Sequence, residues 1–188
     1  MQIETSHLRL LGLTAVATLS FALSVPAIAA ERSLFESHFA GVANGEPCYA
    51  RIYSAEHLKS HPEQRIGSIE LDMAKANPDG APITEDNIEL GFGIKLKDKA
   101  EWYTSLAICK GSGAEIGCFL EGDGGSFTLA SSENGGLKLS TGESGIAIEG
   151  TTDFVEIAGD KGDDRVFILT PAERGTCAAA TAGVKAPN

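Results

Sequence analysis

The run Ile88-Glu89-Leu90-Gly91-Phe92-Gly93-Ile94-Lys95-Leu96-Lys97 decides the fold. Every even position is apolar, and every odd one is small or charged. Successive side chains of an extended chain point to opposite faces, so period two means one dry face and one wet face. A helix would scatter the same residues around its circumference. An antiparallel sheet is the setting in which one face meets a core and the other meets water.

Ile66 to Met73 repeats the pattern, with Ile69, Leu71 and Met73 inward and Ser68, Glu70 and Asp72 outward. Shorter extended runs occupy 48–53, 102–109, 116–121, 127–130, 137–140, 146–149, 154–157 and 165–169. Turn-forming clusters separate them: Asn77-Pro78-Asp79-Gly80, Gly122-Asp123-Gly124-Gly125, Glu133-Asn134-Gly135-Gly136, Thr141-Gly142-Glu143-Ser144-Gly145 and Gly159-Asp160-Lys161-Gly162. Asn-Gly supplies the positive φ angles of a tight hairpin. Strands recurring at this spacing predict an all-β antiparallel meander of about eight to ten strands. Closure or partial closure into a small barrel hides the edges of such a sheet, and a two-sheet sandwich is the alternative. The outward positions are polar, whereas a lipid-facing barrel needs them apolar.

Outside the strands, Ser54 to His61 predicts one short helix after the first strand, with Ser54 as N-cap and Pro62 ending it. Within Glu31 to Gly45, Leu34, Phe35, Phe39 and Val42 offer a short amphipathic face. The resulting division is 1–29 leader, 30–45 N-terminal segment, 46–170 β-rich domain and 171–188 Ala-rich tail, frayed beyond Cys177.

The leader reads as a secretory signal. Arg9 precedes an apolar stretch from Leu10 to Leu23, followed by Pro26 and Ala27-Ile28-Ala29-Ala30, which places the cut after Ala29. The stretch is shorter than the ~20 residues a membrane span needs. No Cys stands at the cut to carry a lipid, so no stable membrane anchor is expected. The expected location is the bacterial periplasm or the medium.

All four cysteines lie beyond the leader. An even count in an exported chain predicts two disulfides. Cys109 and Cys118 bracket a turn-like stretch between two strand runs, which favours Cys109–Cys118 and leaves Cys48 with Cys177. The absence of a C-x-x-C pair argues for a structural role over a redox or metal one.

With 26 acidic against 15 basic residues, the chain carries a net charge of −11. Nucleic acid and anionic membranes both require a basic face, so neither is an expected partner. The hydrophobic fraction of 43% suffices for a core.

Each chemistry finds little support. Beyond the leader the histidines are His38, His57 and His61. Gly124-Gly125-Ser126-Phe127-Thr128 lacks the last glycine of a nucleophile elbow and precedes a strand. His57 and His61, four apart on a helix, share a face and are the candidate metal ligands, with Glu56 adjacent; no third ligand is apparent. Asp160 to Asp164 and Glu121 to Gly125 are acidic turns whose spacing fits no EF-hand. Gly111-Ser112-Gly113-Ala114-Glu115-Ile116-Gly117 has its last glycine one place late for a dinucleotide loop. Paired carboxylates remain open as an alternative, in the form of an envelope glycan hydrolase. Trp102-Tyr103 offers a sugar platform, although Trp102 shares parity with Leu106 and Ile108 and is expected to be buried.

The stretch from Cys48 to Pro62 (Cys-Tyr-Ala-Arg-Ile-Tyr-Ser-Ala-Glu-His-Leu-Lys-Ser-His-Pro) and Asp163-Asp164-Arg165-Val166-Phe167-Ile168-Leu169 resemble small exported proteins of unknown function from alpha-class proteobacteria. The resemblance covers about Cys48 to Leu169. It implies a secreted, disulfide-bearing β-rich protein and brings no active site. The expected function is binding of a small ligand or an envelope protein without catalysis or cofactor, with metal binding through His57 and His61 as a further alternative.

Overall fold

The computed structural model describes residues 32–40, 48–73, 83–157, 159 and 162–183. The leader, Val42 and the turn at Asn77-Pro78-Asp79-Gly80 lie outside the described residues.

The strands are β1 (Cys48–Ile52), β2 (Ile66–Met73), β3 (Ile88–Leu96), β4 (Trp102–Lys110), β5 (Glu115–Leu120), β6 (Gly125–Ser131), β7 (Leu137–Glu149), β8 (Phe154–Ile157) and β9 (Val166–Ala172). Consecutive strands pair antiparallel from β1 to β7, and β9 joins β7 back to β1, closing an eight-stranded barrel. The closing contacts are Ala50↔Thr170 and Leu137↔Leu169. Closure leaves the ring without a free edge, which excludes the sandwich.

β8 lies outside this ring. It pairs with the second half of β7 (Ile146↔Ile157), on the edge where β9 pairs with the first half. β8 and β9 therefore occupy one edge as an interrupted strand.

The runs at 137–140 and 146–149 are one strand, β7, and the expected turn at Thr141–Gly145 is a bulge inside it. Phe127 faces Thr141 while Gly125 faces Ile146, so β7 carries extra residues against β6. Gly145 has φ +71°, and a Cβ there would run into the Ile157 carbonyl. The Asn134-Gly135 turn takes the expected form, with φ of 56° and 71°.

The interior is one packed cluster. Leu90, Phe92 and Ile94 point inward, and Phe92 stacks on Phe127 at 5.3 Å. Cys109 and Cys118 face each other across β4 and β5 and are bridged, both fully buried. β4 departs from expectation: Tyr103 is buried and Trp102 is only half-buried. The register explains this, because inward Ile94, Leu90 and Ile88 face Tyr103, Ala107 and Cys109. Ser105, opposite Phe92, leaves room for that ring. Trp102, Leu106 and Ile108 are thereby turned outward.

Two helices serve the barrel's ends. α1 (Leu34–His38) carries a capping box between Ser33 and Glu36 and buries Leu34, with Phe39 just beyond it. α2 (Ala55–Ser60) follows β1 as expected, with Ser54 Oγ accepting from the His57 N–H at 3.1 Å. Such a cap stabilises by about 1 kcal/mol.

The tail is more ordered than expected. β9 runs on to Ala172, a 3₁₀ turn reaches Cys177, and α3 (Ala178–Gly183) lies on the outer face of β2, β3 and β4. Gly93 admits it, since a Cβ there would sit 3.3 Å from the Ala180 nitrogen. Cys48–Cys177 ties α3 to β1. Glu70 and Asp72 point outward as expected yet are buried. Glu70 Oε2 accepts from the N–H groups of Ala179 and Ala180, both at 3.2 Å, satisfying donors that a helix start leaves open.

Candidate functional site

At the end of the barrel where β1 leaves the ring, β1 and β9 part: pairing stops at Ala50↔Thr170. α2 and residues 162–165 flank the gap, leaving a cleft of about 300 Å³. One wall comes from β1 and α2, where Arg51 and Tyr53 follow Tyr49 on β1's inward parity. His57 and His61 stand one turn apart on α2.

These four side chains form a ladder. The Arg51 guanidinium carbon lies 5.2 Å from the Tyr53 ring centre. Tyr53 stacks on His57 at 4.6 Å with planes 26° apart, and His57 on His61 at 4.2 Å and 17°. Val166 and Ile168, 53% and 42% exposed, also line the cleft, as does Asp163. Burial pushes the Tyr53 phenol above its ordinary value, with Arg51 partly opposing, so it remains neutral and able to donate at neutral pH.

Hydrogen bonds fix both imidazoles. Gln64 donates its amide N–H to the Ile66 carbonyl at 2.7 Å, which leaves its carbonyl to accept from His57 Nε2 at 3.0 Å. His61 Nδ1 donates to the His57 carbonyl at 3.0 Å. The remaining lone pairs are His57 Nδ1 and His61 Nε2. A bound metal lies in the plane of each imidazole that ligates it, and two nearly parallel, stacked planes share no nearby point. The expected metal pair is thus placed together, in the geometry of a stacking platform. Among the described residues, no group of three or more His, Cys, Asp or Glu is positioned around a metal. His38 stands at the far end, bonding Ser37 Oγ and the Gly136 carbonyl.

The carboxylates separate by environment. Asp164 accepts from the Arg65 and Ile66 N–H groups at 2.7 and 3.1 Å, and burial pushes its carboxyl up. Burial does the same to Glu70 beneath α3. Asp153 and Glu101 are held below the usual range, chiefly by hydrogen bonds from Tyr103 and from Thr151 respectively. A glycosidase pairs a raised acid with an ionised carboxylate across one cleft. Here the raised carboxyls bond backbone amides inside the fold, and the lowered ones brace the β4 and β8 approaches.

A second cleft, of about 490 Å³, separates α1 from the β5 and β6 strands. The Ser33 and Ser37 hydroxyls in its lining serve the protein itself. Ser33 caps α1 and donates to Glu85 at 3.0 Å, and Ser37 donates back to the Ser33 carbonyl at 2.8 Å.

No family model, curated protein or solved structure matches this chain. The functional reading accordingly rests on the cleft's own chemistry.

The helical spacing of His57 and His61 was readable, and so was the inward parity of Arg51 and Tyr53 beside Tyr49. A charged residue between two tyrosines on a core-facing parity is the signal for a strand that leaves the ring. Asp163, Val166 and Ile168 carry no such signal, because only closure brings β9 beside β1.

Proposed function

We propose that this protein is an exported, water-soluble β-barrel that binds a small ligand, without catalysis, in the cleft between α2 and β9. The observation that carries the reading is the Arg51–Tyr53–His57–His61 ladder in one cleft with the exposed Val166 and Ile168. Ring edges and aliphatic side chains bind by area, and a few polar groups orient the guest; that combination characterises small-molecule sites. The volume of about 300 Å³ lies at the small end for such sites.

Export is supported by the leader pattern and by two disulfides that persist only in an oxidising compartment. Outward Thr104, Thr128, Lys138 and Ser140 support a water-facing wall, which also carries the exposed Ile108 and Phe119.

Native mass spectrometry of protein purified from a bacterial periplasm tests the binding role. The expected result is a retained small-molecule mass that a Tyr53→Ala, His61→Ala double variant with unchanged circular dichroism fails to hold. A ligand-free wild type whose Tyr53, His57 and His61 NMR signals ignore a periplasmic small-molecule extract would refute the reading.

A further inference from the structure

We infer that the ligand is a short extended peptide, bound as an added β-strand along the free edge of β9. This inference rests on the cleft reading above and names the ligand's class.

Two hydrogen bonds fix which backbone groups face the gap. The Thr141 N–H donates to the Arg165 carbonyl at 3.0 Å, so residues 165, 167 and 169 turn their N–H and C=O groups toward β7. These directions alternate along a strand, and those of Val166 and Ile168 therefore point the other way, toward β1. The Tyr53 N–H donates to the Gly67 carbonyl at 2.9 Å, which by the same alternation turns Ile52 away from β2 and toward β9. Both parities agree with Ala50↔Thr170, the last pair before the strands part, and with Pro171, whose missing donor faces away from β1. Past that pair, Ile52, Val166 and Ile168 make no backbone hydrogen bond across the gap among the described residues. A bare strand edge is a template for another extended chain, and proteins guard such edges with Lys, Pro, a bulge or a cover. The gap-facing positions here are instead β-branched aliphatics, with Ile52 69% exposed.

The cleft's mixed lining fits the two faces of one strand. Val166 and Ile168 point outward, because Phe167 and Leu169 between and beyond them are buried in the core. A chain laid beside β9 sets alternate side chains next to Val166 and Ile168 and sends the others to the inner side, where Arg51 and Tyr53 stand. Its own N–H and C=O groups meet those of β9. The expected guest thus alternates aliphatic and polar residues: main-chain bonds supply affinity, and alternate side chains supply selection. A second copy of this chain offers the same edge, but two molecules of net charge −11 repel each other, which favours a separate peptide.

The test uses the wild-type disulfide-bonded protein and a blocked probe, acetyl-Thr-Val-Thr-Val-Thr-amide, followed by two-dimensional NMR and amide exchange. The probe should slow exchange of the Val166 and Ile168 N–H groups about tenfold or more, while Phe167 and Leu169, already bonded to β7, change little. The same peptide N-methylated at every residue should bind about tenfold or more weakly. Ile168→Pro, folded by circular dichroism, removes a gap-facing donor and no bond to β7, and should weaken the parent probe similarly; if this variant does not fold, the N-methyl comparison on the wild type decides. Equal binding of the N-methylated peptide would overturn the role of the edge. Equal slowing at residues 166 to 169 would mean general stabilisation, and slowing that grows with protein concentration before peptide is added would give the edge to a second copy; either overturns the inference. A probe that leaves Val166 and Ile168 unmoved also overturns it. The cleft reading then stands if native mass spectrometry finds a retained small molecule that is not a peptide, and falls too if no mass is retained.

Discussion

Removing the two disulfides separately should cost very different amounts. Cys48–Cys177 spans 129 residues and Cys109–Cys118 spans 9. A cross-link restricts the unfolded chain by an entropy that grows with the logarithm of the loop it closes. The two loops give about 5 and roughly 3 kcal/mol at 25 °C. Native-state packing enters on both sides: Cys48, Ala50, Cys177 and Ala180 form a separate small cluster that holds α3 on the barrel, and Cys109 and Cys118 lie fully buried in the main core. Cys48→Ala, Cys177→Ala loses the entropy term and loosens that cluster. Cys109→Ala, Cys118→Ala loses the smaller term and leaves two missing sulfurs inside the core.

Urea unfolding at equilibrium measures both. The long-loop variant should lose about 2 kcal/mol more than the short-loop one. It should also show the larger rise in m, since its unfolded chain is freed from a tie between its two ends. A domain of this size is stable by only about 5–15 kcal/mol, so loss of the long link alone removes a large part of the total, and full reduction should unfold it. If the short-loop variant proves the more destabilised, native packing around Cys109 and Cys118 outweighs chain entropy and the ordering argued here is wrong.

Phe92→Ala removes a fully buried ring stacked on Phe127 and should cost about 3–5 kcal/mol in the same assay; a loss below 1 kcal/mol would mean the interior collapses around the gap. Burial raises the Glu70 and Asp164 carboxyls, so their contribution is fully present below their unfolded pKa and lost as pH rises through the higher folded one. Asp153 and Glu101 are lowered, so theirs is present above the ordinary carboxylate range and lost as pH falls through the folded pKa. The urea midpoint should therefore rise from neutrality to about pH 5 and fall in stronger acid, with Glu70→Gln flattening the first limb; a midpoint that drops steadily from neutrality contradicts the assignment. Gly145→Ala places a side chain at φ +71° against the Ile157 carbonyl and should destabilise by at least about 1–2 kcal/mol, detaching β8 first in hydrogen exchange; unchanged β8 protection would contradict this placement.

Where burial is one-sided, alternation made the strands legible. β2 occupies the run the pattern marked, and β3 differs only at its last residue. The pattern misled where the outer face is itself covered or apolar. Glu70 and Asp72 look like wet positions and are buried, Glu70 under α3. Trp102, Leu106 and Ile108 look like a core stripe and face outward, because the register with β3 reserves the inside for Tyr103, Ala107 and Cys109. Thr141–Gly145 looks like a turn, since glycine serves bulges and turns through the same positive φ. Which of the two forms is decided by β6, which keeps pairing on both sides of the segment. The His57–His61 spacing was visible, but the relation of the rings depends on Gln64 and on backbone carbonyls that choose which nitrogen keeps its proton.

Closure fills an eight-stranded barrel's lumen and thereby moves any binding role to its ends. A ring of that size is just wide enough for side chains, and here Phe92, Phe127, Tyr103 and Phe167 occupy it. Leu90, Phe92 and Ile94 therefore stabilise the fold without lining a guest cavity. A cleft arises where the ring fails to close evenly, and it fails because one strand position is shared: β9 pairs with β1 for three residues, while β8 continues the same edge only along β7. Just before β9, Asp164 fastens residues 65 and 66 beside the gap. Asp164→Asn tests this link between topology and site. It keeps an acceptor for one amide and loses the other, so it should weaken ligand retention while the β1 to β7 exchange protection persists. Equal loss of protection throughout the barrel would show instead that the gap and the ring stand or fall as one unit.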